Sequence, residues 1–290
     1  MEIAWDTLDE AAWAARLNRA DAAPLQQSWG YGVAMAALGA TVRRALILVQ
    51  GQEVALAQVL ERRGVRLIGR GPVWLGESGA GLRRAVLRAL ARRMGPTLAT
   101  PGEAVAGFGL IPLITPRHHA FWDLTPQLAD LRSGLSGKWR NRLLKAETAQ
   151  GMRGLQTADA SAVEALLTAE TAQRRARGYR ALPADFIRAW PDEVLAWNWH
   201  KGGQIRAGMV FLRHGPWASY HIAWADAVAR ADFVHGPMLW QAMLDLRARG
   251  VRGLDLGDVN HEDAPGLARF KLGTGARVTA LGATCWVLPG

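Results

Sequence analysis

One order of elements is predicted twice along this chain, and that repetition limits the fold more than any single motif does. In each half, two helices precede three strands joined by short turns, and then come another helix and strand. The first three strands are predicted at RRALILVQ, EVALAQVLE and VRLIG, and the second three at EVLAWNWHK, QIRAGMVFLRH and WASYHIAWA. Tight turns at Gly202-Gly203 and Gly215-Pro216 predict antiparallel neighbours. The sequence therefore predicts a duplicated α+β unit with a mixed, largely antiparallel sheet flanked by helices.

A basic segment separates the two halves. Between Arg132 and Arg153 it holds six basic residues and a single acidic one, Glu147. On a helix its apolar residues form one stripe, which consists of Leu135, Trp139, Leu143 and Ala146. This pattern predicts a basic amphipathic helix. We expect an N-terminal domain over 1–130, a linking helix over 131–153 and a C-terminal domain over 154–290.

Two interpretations of this predicted helix remain open. Its charges could be solvated while the helix packs at a domain junction, or they could bind a polyanion. The candidate polyanion-binding residues are Lys138, Arg140, Arg142 and Lys145.

Composition restricts the partners and the compartment. A net charge of +10 and a pI near 10.8 favour polyanions such as RNA. No apolar run is long enough to cross a bilayer, and the first twenty residues lack the basic and apolar regions of a signal peptide. We expect no transmembrane segment and a cytoplasmic protein. The single cysteine, Cys285, excludes an internal disulfide and lies in an apolar strand-like run, so we expect a core residue there.

Three blocks of the sequence resemble the FemABX-type acyltransferases, whose fold consists of two tandem GNAT domains. The blocks are LQQSWGYG, LSGKWRNRLLKAETAQGM and GPMLWQAMLDLRARGVRGLDLGD followed by GLARFKLGTG. They occur in the family's order and extend over most of the chain. The third block is the most specific, because it combines a tryptophan-bearing helix, an Asp-Leu-Gly strand end and a Phe-Lys pair. No long helical arm is inserted, so the chain resembles the compact members.

The resemblance implies a transferase that moves an aminoacyl group from aminoacyl-tRNA to an amine, often on a peptidoglycan precursor. The expected partners are therefore aminoacyl-tRNA and a phosphate-bearing or amine acceptor. The donor is a co-substrate, so we expect no cofactor. No ligand spacing in the sequence is diagnostic of a metal site, and we expect no metal. The oligomeric state is not predicted.

Lys271 is the first catalytic candidate. The chain has only four lysines among 35 basic residues, and Lys271 matches the family's Phe-Lys lysine. A lysine ammonium is a compact charge that could approach a developing oxyanion closely. Nearby glycines, Gly273 and Gly275, would let a ligand approach the backbone. The alternative is a surface lysine that favours the carboxyl end of a helix.

Asp255 and Asp258 are the other catalytic candidates. They flank Gly257 at a predicted strand end, where side chains often line a crevice. Either could orient or deprotonate an amine, and either could equally be a turn residue. His261 in the following loop is a further candidate base.

The remaining candidates are assigned to substrate binding. Arg174 and Tyr179 match the family's acceptor-binding segment loosely, and Arg175 is an equal alternative. Tyr220 and His221 lie on one strand and point to opposite faces of the sheet. The full substrate-binding set is Trp29, Arg174, Arg175, Tyr179, Tyr220, His221, His261 and Phe270.

The phosphate turn of CoA-dependent GNAT enzymes is incomplete in both halves. ESGAGLRR lacks its leading residue, and ADFVHGPML has a single glycine followed by Pro237, which has no N–H to offer a phosphate. With the basic segment, this favours a tRNA-borne donor. Without a recognisable nucleophile motif, direct attack by the amine is the simpler mechanism. A CoA-dependent N-acyltransferase and a non-catalytic RNA- or protein-binding module remain alternatives.

Overall fold

The computed structural model describes residues 1–20, 23–148 and 153–290. Its contacts divide the chain into two compact units, neither of which is continuous in sequence. Unit 1 comprises Met1–His118, Ala189–Pro191 and Thr279–Gly290, and unit 2 comprises His119–Arg188 and Asp192–Val278.

Unit 1 is built around one mixed sheet with helices against it. Its helical elements are α1 (Glu10–Leu17), a 3-10 turn (Leu25–Gln27), α2 (Trp29–Ala37) and α3 (Ala80–Met94). Its strands are β1 (Glu2–Trp5), β2 (Thr41–Val49), β3 (Gln52–Arg62), β4 (Val65–Gly69), β5 (Val73–Trp74), β6 (Thr97–Thr100), β7 (Leu110–Ile114) and β15 (Thr284–Val287). The sheet order is β1-β2-β3-β4-β6-β15-β7, and β5 pairs with β3. Val86, Leu87 and Leu90 of α3 are fully buried in a core that includes Cys285, as expected for that residue.

Unit 2 has a second mixed sheet. Its helices are α4 (Leu128–Ser133), α5 (Gly137–Thr148), α6 (Ala160–Arg177), α7 (Ala184–Arg188), α8 (Ala227–Ala231), α9 (His235–Ala248) and α10 (Pro265–Leu272). Its strands are β8 (His118–Asp123), β9 (Leu155–Thr157), β10 (Val194–Lys201), β11 (Gln204–His214), β12 (Trp217–Ala225), β13 (Gly253–Asp258) and β14 (Arg277–Ala280). The order is β14-β8-β13-β12-β11-β10-β9. One sheet face packs against α4, α5 and α9 through a continuous apolar core.

The two sheets repeat one topology. In each, three antiparallel strands follow the helices, and a helix then leads to a strand that is parallel to the third: β4 with β6, and β12 with β13. The next position is filled in unit 1 by β15, which comes from the carboxyl end of the chain, and in unit 2 by β8, which precedes the basic segment. The predicted domain boundaries at residues 130 and 153 were linear in sequence. The two compact units do not follow these boundaries, because β8 belongs to unit 2 and β15 belongs to unit 1.

The amphipathic pattern of the basic segment predicted a single helix, and this prediction was wrong. The segment forms α4 and α5 with a break at residues 134–136, and the predicted helix's residues 149–152 lie outside the described residues. Leu135, Trp139 and Leu143 are buried, as the stripe predicted, but they pack into the core of unit 2. The break follows from packing, because Gly275 lies against Gly134. Gly275 has a φ of +82°, and a Cβ on Gly275 would lie 2.8 Å from the carbonyl oxygen of Gly134.

The predicted fold class, α+β with two mixed sheets flanked by helices, is confirmed. In the three described stretches, no helix is both long and apolar enough to span a bilayer.

Candidate active site

Lys271 is buried in unit 2, although the sequence allowed a surface position. It lies in the last turn of α10, which begins with Pro265 at its first position. Its side chain is 5% exposed, and Nζ donates a 2.6 Å hydrogen bond to the carbonyl oxygen of Asp258. Burial lowers the Lys271 pKa, while the nearby carboxylates of Asp258 and Asp255 oppose that shift. The site is therefore a desolvated ammonium beside two acidic residues.

Asp255 and Asp258 lie at the end of β13, as the sequence predicted. Asp255 is buried, and its Oδ1 accepts a 2.8 Å hydrogen bond from the backbone N–H of Gly257. Gly257 has a φ of +79°, which a glycine adopts without strain. This turn brings the Asp258 carbonyl to Lys271, so the Asp-Leu-Gly-Asp sequence shapes the site through its backbone as well as its carboxylates.

His119 is a site residue that the sequence analysis missed. It lies on β8 opposite Asp258, and its Nδ1 is 3.5 Å from Oδ1 of Asp255. That nitrogen is buried and has no hydrogen-bond partner among the described residues. The only sequence signal was a histidine pair at positions 118 and 119, because β8 itself was not predicted.

The pairing of β12 with β13 ends beside these residues. The parallel register runs from Trp217–Gly253 to Ser219–Asp255 and stops, although both strands continue. Immediately beyond, a β-bulge in the β11–β12 pairing leaves His221 without a partner between Tyr220 and Ile222. The charged groups thus lie where two parallel strands cease to be hydrogen-bonded at their carboxyl ends, a common position for ligand sites in open sheets.

Tyr220 and His221 face opposite sides of the sheet at this bulge. Tyr220 packs with Phe211 of the core (ring centroids 5.7 Å apart), and burial raises the pKa of its hydroxyl. His221 packs against Phe186 of α7, and burial lowers its pKa to about 4. His221 is therefore a neutral side chain near pH 7.

A cavity of about 150 Å³ opens at the amino end of α9. Phe270 lies in its wall, stacked on Trp139 and tilted against His235, with centroids 6.2 and 6.3 Å away. On another side of the cavity, the Arg142 guanidinium lies 4.3 Å from the centroid of the Phe233 ring. Arg230 also lines it and donates from Nη2 to the side chain of Gln173 at 3.2 Å. The cavity therefore combines aromatic faces with two guanidinium groups.

Solved structures share this architecture from end to end. FemX aligns with a TM-score of 0.78 and 14% identity, covering 99% of this chain and 98% of its own. L-PGS from Bacillus licheniformis aligns with a TM-score of 0.57 and 12% identity, covering 96% of this chain and 92% of its own. A tandem GNAT protein from the clavulanic acid biosynthesis pathway aligns with a TM-score of 0.54 and 14% identity, covering 98% of each chain. No protein-family model and no curated protein matches the sequence.

The chain has the tandem GNAT fold of FemX. At these identities the likeness establishes the fold, and the expected FemABX-like double-GNAT architecture is confirmed.

The other predicted substrate-binding residues lie mostly in unit 2, with one in unit 1. Arg174 is half-buried on α6 and donates to the carbonyls of residues 181 and 182, at 3.2 and 2.9 Å. Tyr179 donates to the buried carboxylate of Glu170 at 3.0 Å. Arg175 and His261 are exposed. Trp29 belongs to unit 1, where Arg44 stacks on its ring.

Three of the four predicted polyanion-binding side chains are exposed on α5. Lys138, Arg142 and Lys145 are spaced so that they share one face of the helix. Arg140 is partly buried instead and donates to the carbonyl of Ser133 at 3.3 Å. Since Arg142 also lines the cavity, the basic face of α5 adjoins the aromatic pocket.

The glycines after Lys271 do not have the ligand-facing role that the sequence suggested. A Cβ on Gly273 would lie 2.6 Å from the Trp139 ring, and Gly275 lies against Gly134. Both glycines let the end of α10 pack on the segment before α5. No group of three or more His, Cys, Asp or Glu residues suited to a metal ion occurs in the described parts of the chain.

Proposed function

We propose that this protein is an acyltransferase that forms an amide bond, moving an aminoacyl group from aminoacyl-tRNA to an amine. The observation that carries this proposal is the buried ammonium of Lys271, fixed on the Asp258 carbonyl at the open end of the β12–β13 pairing. The FemABX resemblance of the sequence and the FemX-like fold support it.

Lys271 supplies positive charge where an oxyanion would develop. Asp258 uses one of the three N–H bonds of Lys271 and no other described residue accepts from Nζ, which leaves two N–H bonds for a ligand. An ammonium in a desolvated site interacts more strongly with developing negative charge than one in water. In the proposed reaction the amine nitrogen attacks the ester carbonyl of the donor and passes through a tetrahedral oxyanion. The C–N bond forms in this intermediate, and its collapse then breaks the bond to the tRNA ribose oxygen.

Asp255 and His119 are proposed to handle the proton of the attacking amine. The amine must lose a proton before or during attack, and the departing ribose oxygen must gain one. The 3.5 Å approach of His119 to Asp255 joins an imidazole and a carboxylate. The pair can therefore accept that proton and return it to the departing ribose oxygen, with no covalent enzyme intermediate.

The aromatic cavity is proposed to hold the end of the donor tRNA. Single-stranded nucleic acid is bound by rings that stack on bases and by cations that contact phosphates. Phe233 and Phe270 offer rings, and Arg142 and Arg230 offer guanidinium groups. Pro237, in the first turn of α9, removes one N–H donor that a CoA pyrophosphate would use. The acceptor is proposed to be the amine of a peptidoglycan precursor, as the family resemblance suggests.

The test is a binding titration with three ligands: charged tRNA, uncharged tRNA and acetyl-CoA, each at low and moderate salt. We expect selective, salt-sensitive binding of charged tRNA. Arg142→Gln should weaken it and reduce the slope of log K against log salt by about 0.7–0.9. Arg177→Gln, at an exposed arginine of α6, is the matched control and should change neither. Saturable acetyl-CoA binding without tRNA binding would replace this proposal with the CoA-dependent alternative.

A further inference from the structure

Arg44 in unit 1 is a half-buried cation whose guanidinium group has no carboxylate partner among the described residues, although its backbone N–H donates to Oδ1 of Asp6 at 2.8 Å. It lies on β2, and its guanidinium lies 3.5 Å from the centroid of the Trp29 ring. Its Nε donates to Oε1 of Gln58 at 2.9 Å, and its Nη2 donates to the carbonyl of Trp29 at 3.3 Å. In the described part of the chain it forms no ion pair, whereas its neighbour Arg43 pairs with Asp6. A partly desolvated charge bound only to neutral acceptors is uncommon in proteins.

The surroundings of Arg44 hold it in one orientation. The Nε2 atom of Gln58 donates to the carbonyls of Gln26 and Ser28, at 3.1 and 2.8 Å, so its Oε1 must face Arg44. Gly32 of α2 leaves the necessary room: a Cβ there would lie 2.5 Å from Nη2 of Arg44 and 2.4 Å from Oε1 of Gln58. The QSWGYG block thus builds a cradle for this side chain.

The fixed guanidinium keeps donors available. A guanidinium has five N–H bonds, and Gln58 and Trp29 use two of them. Nη1 has no partner among the described residues and is not among the buried unpaired atoms, so it reaches solvent. Burial lowers the Arg44 pKa to about 10, which Asp6 and Glu10 offset only in part. The group still carries its charge at neutral pH.

We propose that Arg44, in its cradle of Trp29, Gly32 and Gln58, binds an oxyanion group of a ligand, either a carboxylate or a phosphate. Arginine suits this task because its planar edge can donate two parallel hydrogen bonds to such a group. The side chain is already ordered, so binding costs little conformational entropy. This site lies in unit 1 and does not depend on the function proposed for unit 2.

The test uses the full chain labelled with ¹⁵N at arginine and at the tryptophan indole. Inorganic phosphate and acetate are titrated separately, against chloride at equal ionic strength, while the Arg44 Nε–H and Trp29 indole NMR signals are followed. Arg44→Lys keeps a charge and identifies the Arg44 signal by its loss. Arg43→Lys is the matched control on the same strand, and thermal melting verifies that each variant is folded.

We expect saturable shifts at both signals, with binding at least about tenfold weaker in Arg44→Lys and unchanged in Arg43→Lys. Saturation by phosphate alone would identify a phosphate-bearing ligand, and saturation by acetate alone a carboxylate. Saturation by both would support the shared oxyanion chemistry. The proposal is overturned if neither anion saturates the Arg44 signal, or if exposed arginine signals such as that of Arg43 shift with the same isotherm.

Discussion

The Nζ atom of Lys271 lies 2.6 Å from the carbonyl oxygen of Asp258, so a helix terminus and a strand terminus are joined by one charged hydrogen bond. The bond fixes a flexible side chain beside Gly257, whose added Cβ would be only 3.6 Å from Nζ. A lysine on an exposed helix end would keep its full rotamer freedom. The geometry therefore favours a positioned charge over a solvated one.

Replacing Lys271 should remove most of the turnover without removing the fold. Lys271→Met has a similar length and no charge, so the buried site loses its cation while the packing is largely kept. We expect kcat to fall by about 10²–10³, the effect of removing one oxyanion-stabilising donor, and Lys271→Ala should abolish detectable turnover. Binding of charged tRNA should be nearly unchanged in both. Lys201→Met, at an exposed lysine paired with Asp232, is the control; a Lys271 variant with wild-type kcat would refute the assigned role.

The alkaline side of the pH–rate profile should report Lys271. Burial places its pKa below the ordinary value of 10.5, so the cation is present at low pH and is lost as pH rises through that lowered pKa. We expect kcat to decline at a pH below 10.5, after correction for spontaneous ester hydrolysis. Any residual activity of Lys271→Arg should lack this decline, because a guanidinium stays protonated. A decline shared by both proteins would assign it to another group.

His119 should affect proton transfer. His119→Gln should lower kcat/KM by about 10²-fold, within the usual range for a lost general base. The neighbouring His118→Gln replaces an exposed residue and should leave kcat/KM unchanged. A His119→Gln enzyme with the wild-type kcat/KM would contradict a role in proton transfer.

Much of the fold could be predicted from local patterns. The turns at Gly202-Gly203 and Gly215-Pro216 predict the antiparallel strands β10, β11 and β12, and the spacing of apolar residues predicts α3. The positions of β8 and β15 in the sheets could not be predicted, because strand pairing between distant segments leaves no local periodicity. The same reason explains the missed break between α4 and α5, which depends on contact between Gly134 and Gly275.

The candidate site was predictable only in part. Asp255, Asp258 and Lys271 were identified by a strand end and by the Phe-Lys resemblance, and their proximity depends on the backbone turn at Gly257. His119 was not, because its position beside Asp255 depends on β8 pairing with β13, a contact between residues far apart in sequence. The cavity residues Arg230 and Phe233 likewise carry no motif.

Gly253 should tolerate no side chain. A Cβ there would lie 2.3 Å from the Phe121 ring and 2.7 Å from the Trp217 ring, which themselves pack edge to face. Gly253→Ala should lower the free energy of unfolding by about 1–3 kcal/mol, as overpacking usually does. Gly266→Ala on α10 has open space and should be neutral or slightly stabilising. Urea denaturation of both variants checks this, and equal stabilities would contradict the packing.

His221 should make the fold acid-sensitive over a defined window. Its pKa falls from 6.5 in the unfolded chain to about 4 in the folded protein because burial disfavours the imidazolium. Between these values the unfolded chain binds more protons, so stability is present above pH 6.5 and is lost as pH falls towards 4. The loss should reach at most about 3 kcal/mol. Chemical denaturation of wild type and His221→Phe at pH 7, 5.5 and 4.5 measures it, since phenylalanine keeps the contact with Phe186 and cannot titrate. Parallel pH dependences in the two proteins would show that His221 is not the titrating group, and would direct attention to His235, whose pKa burial also lowers.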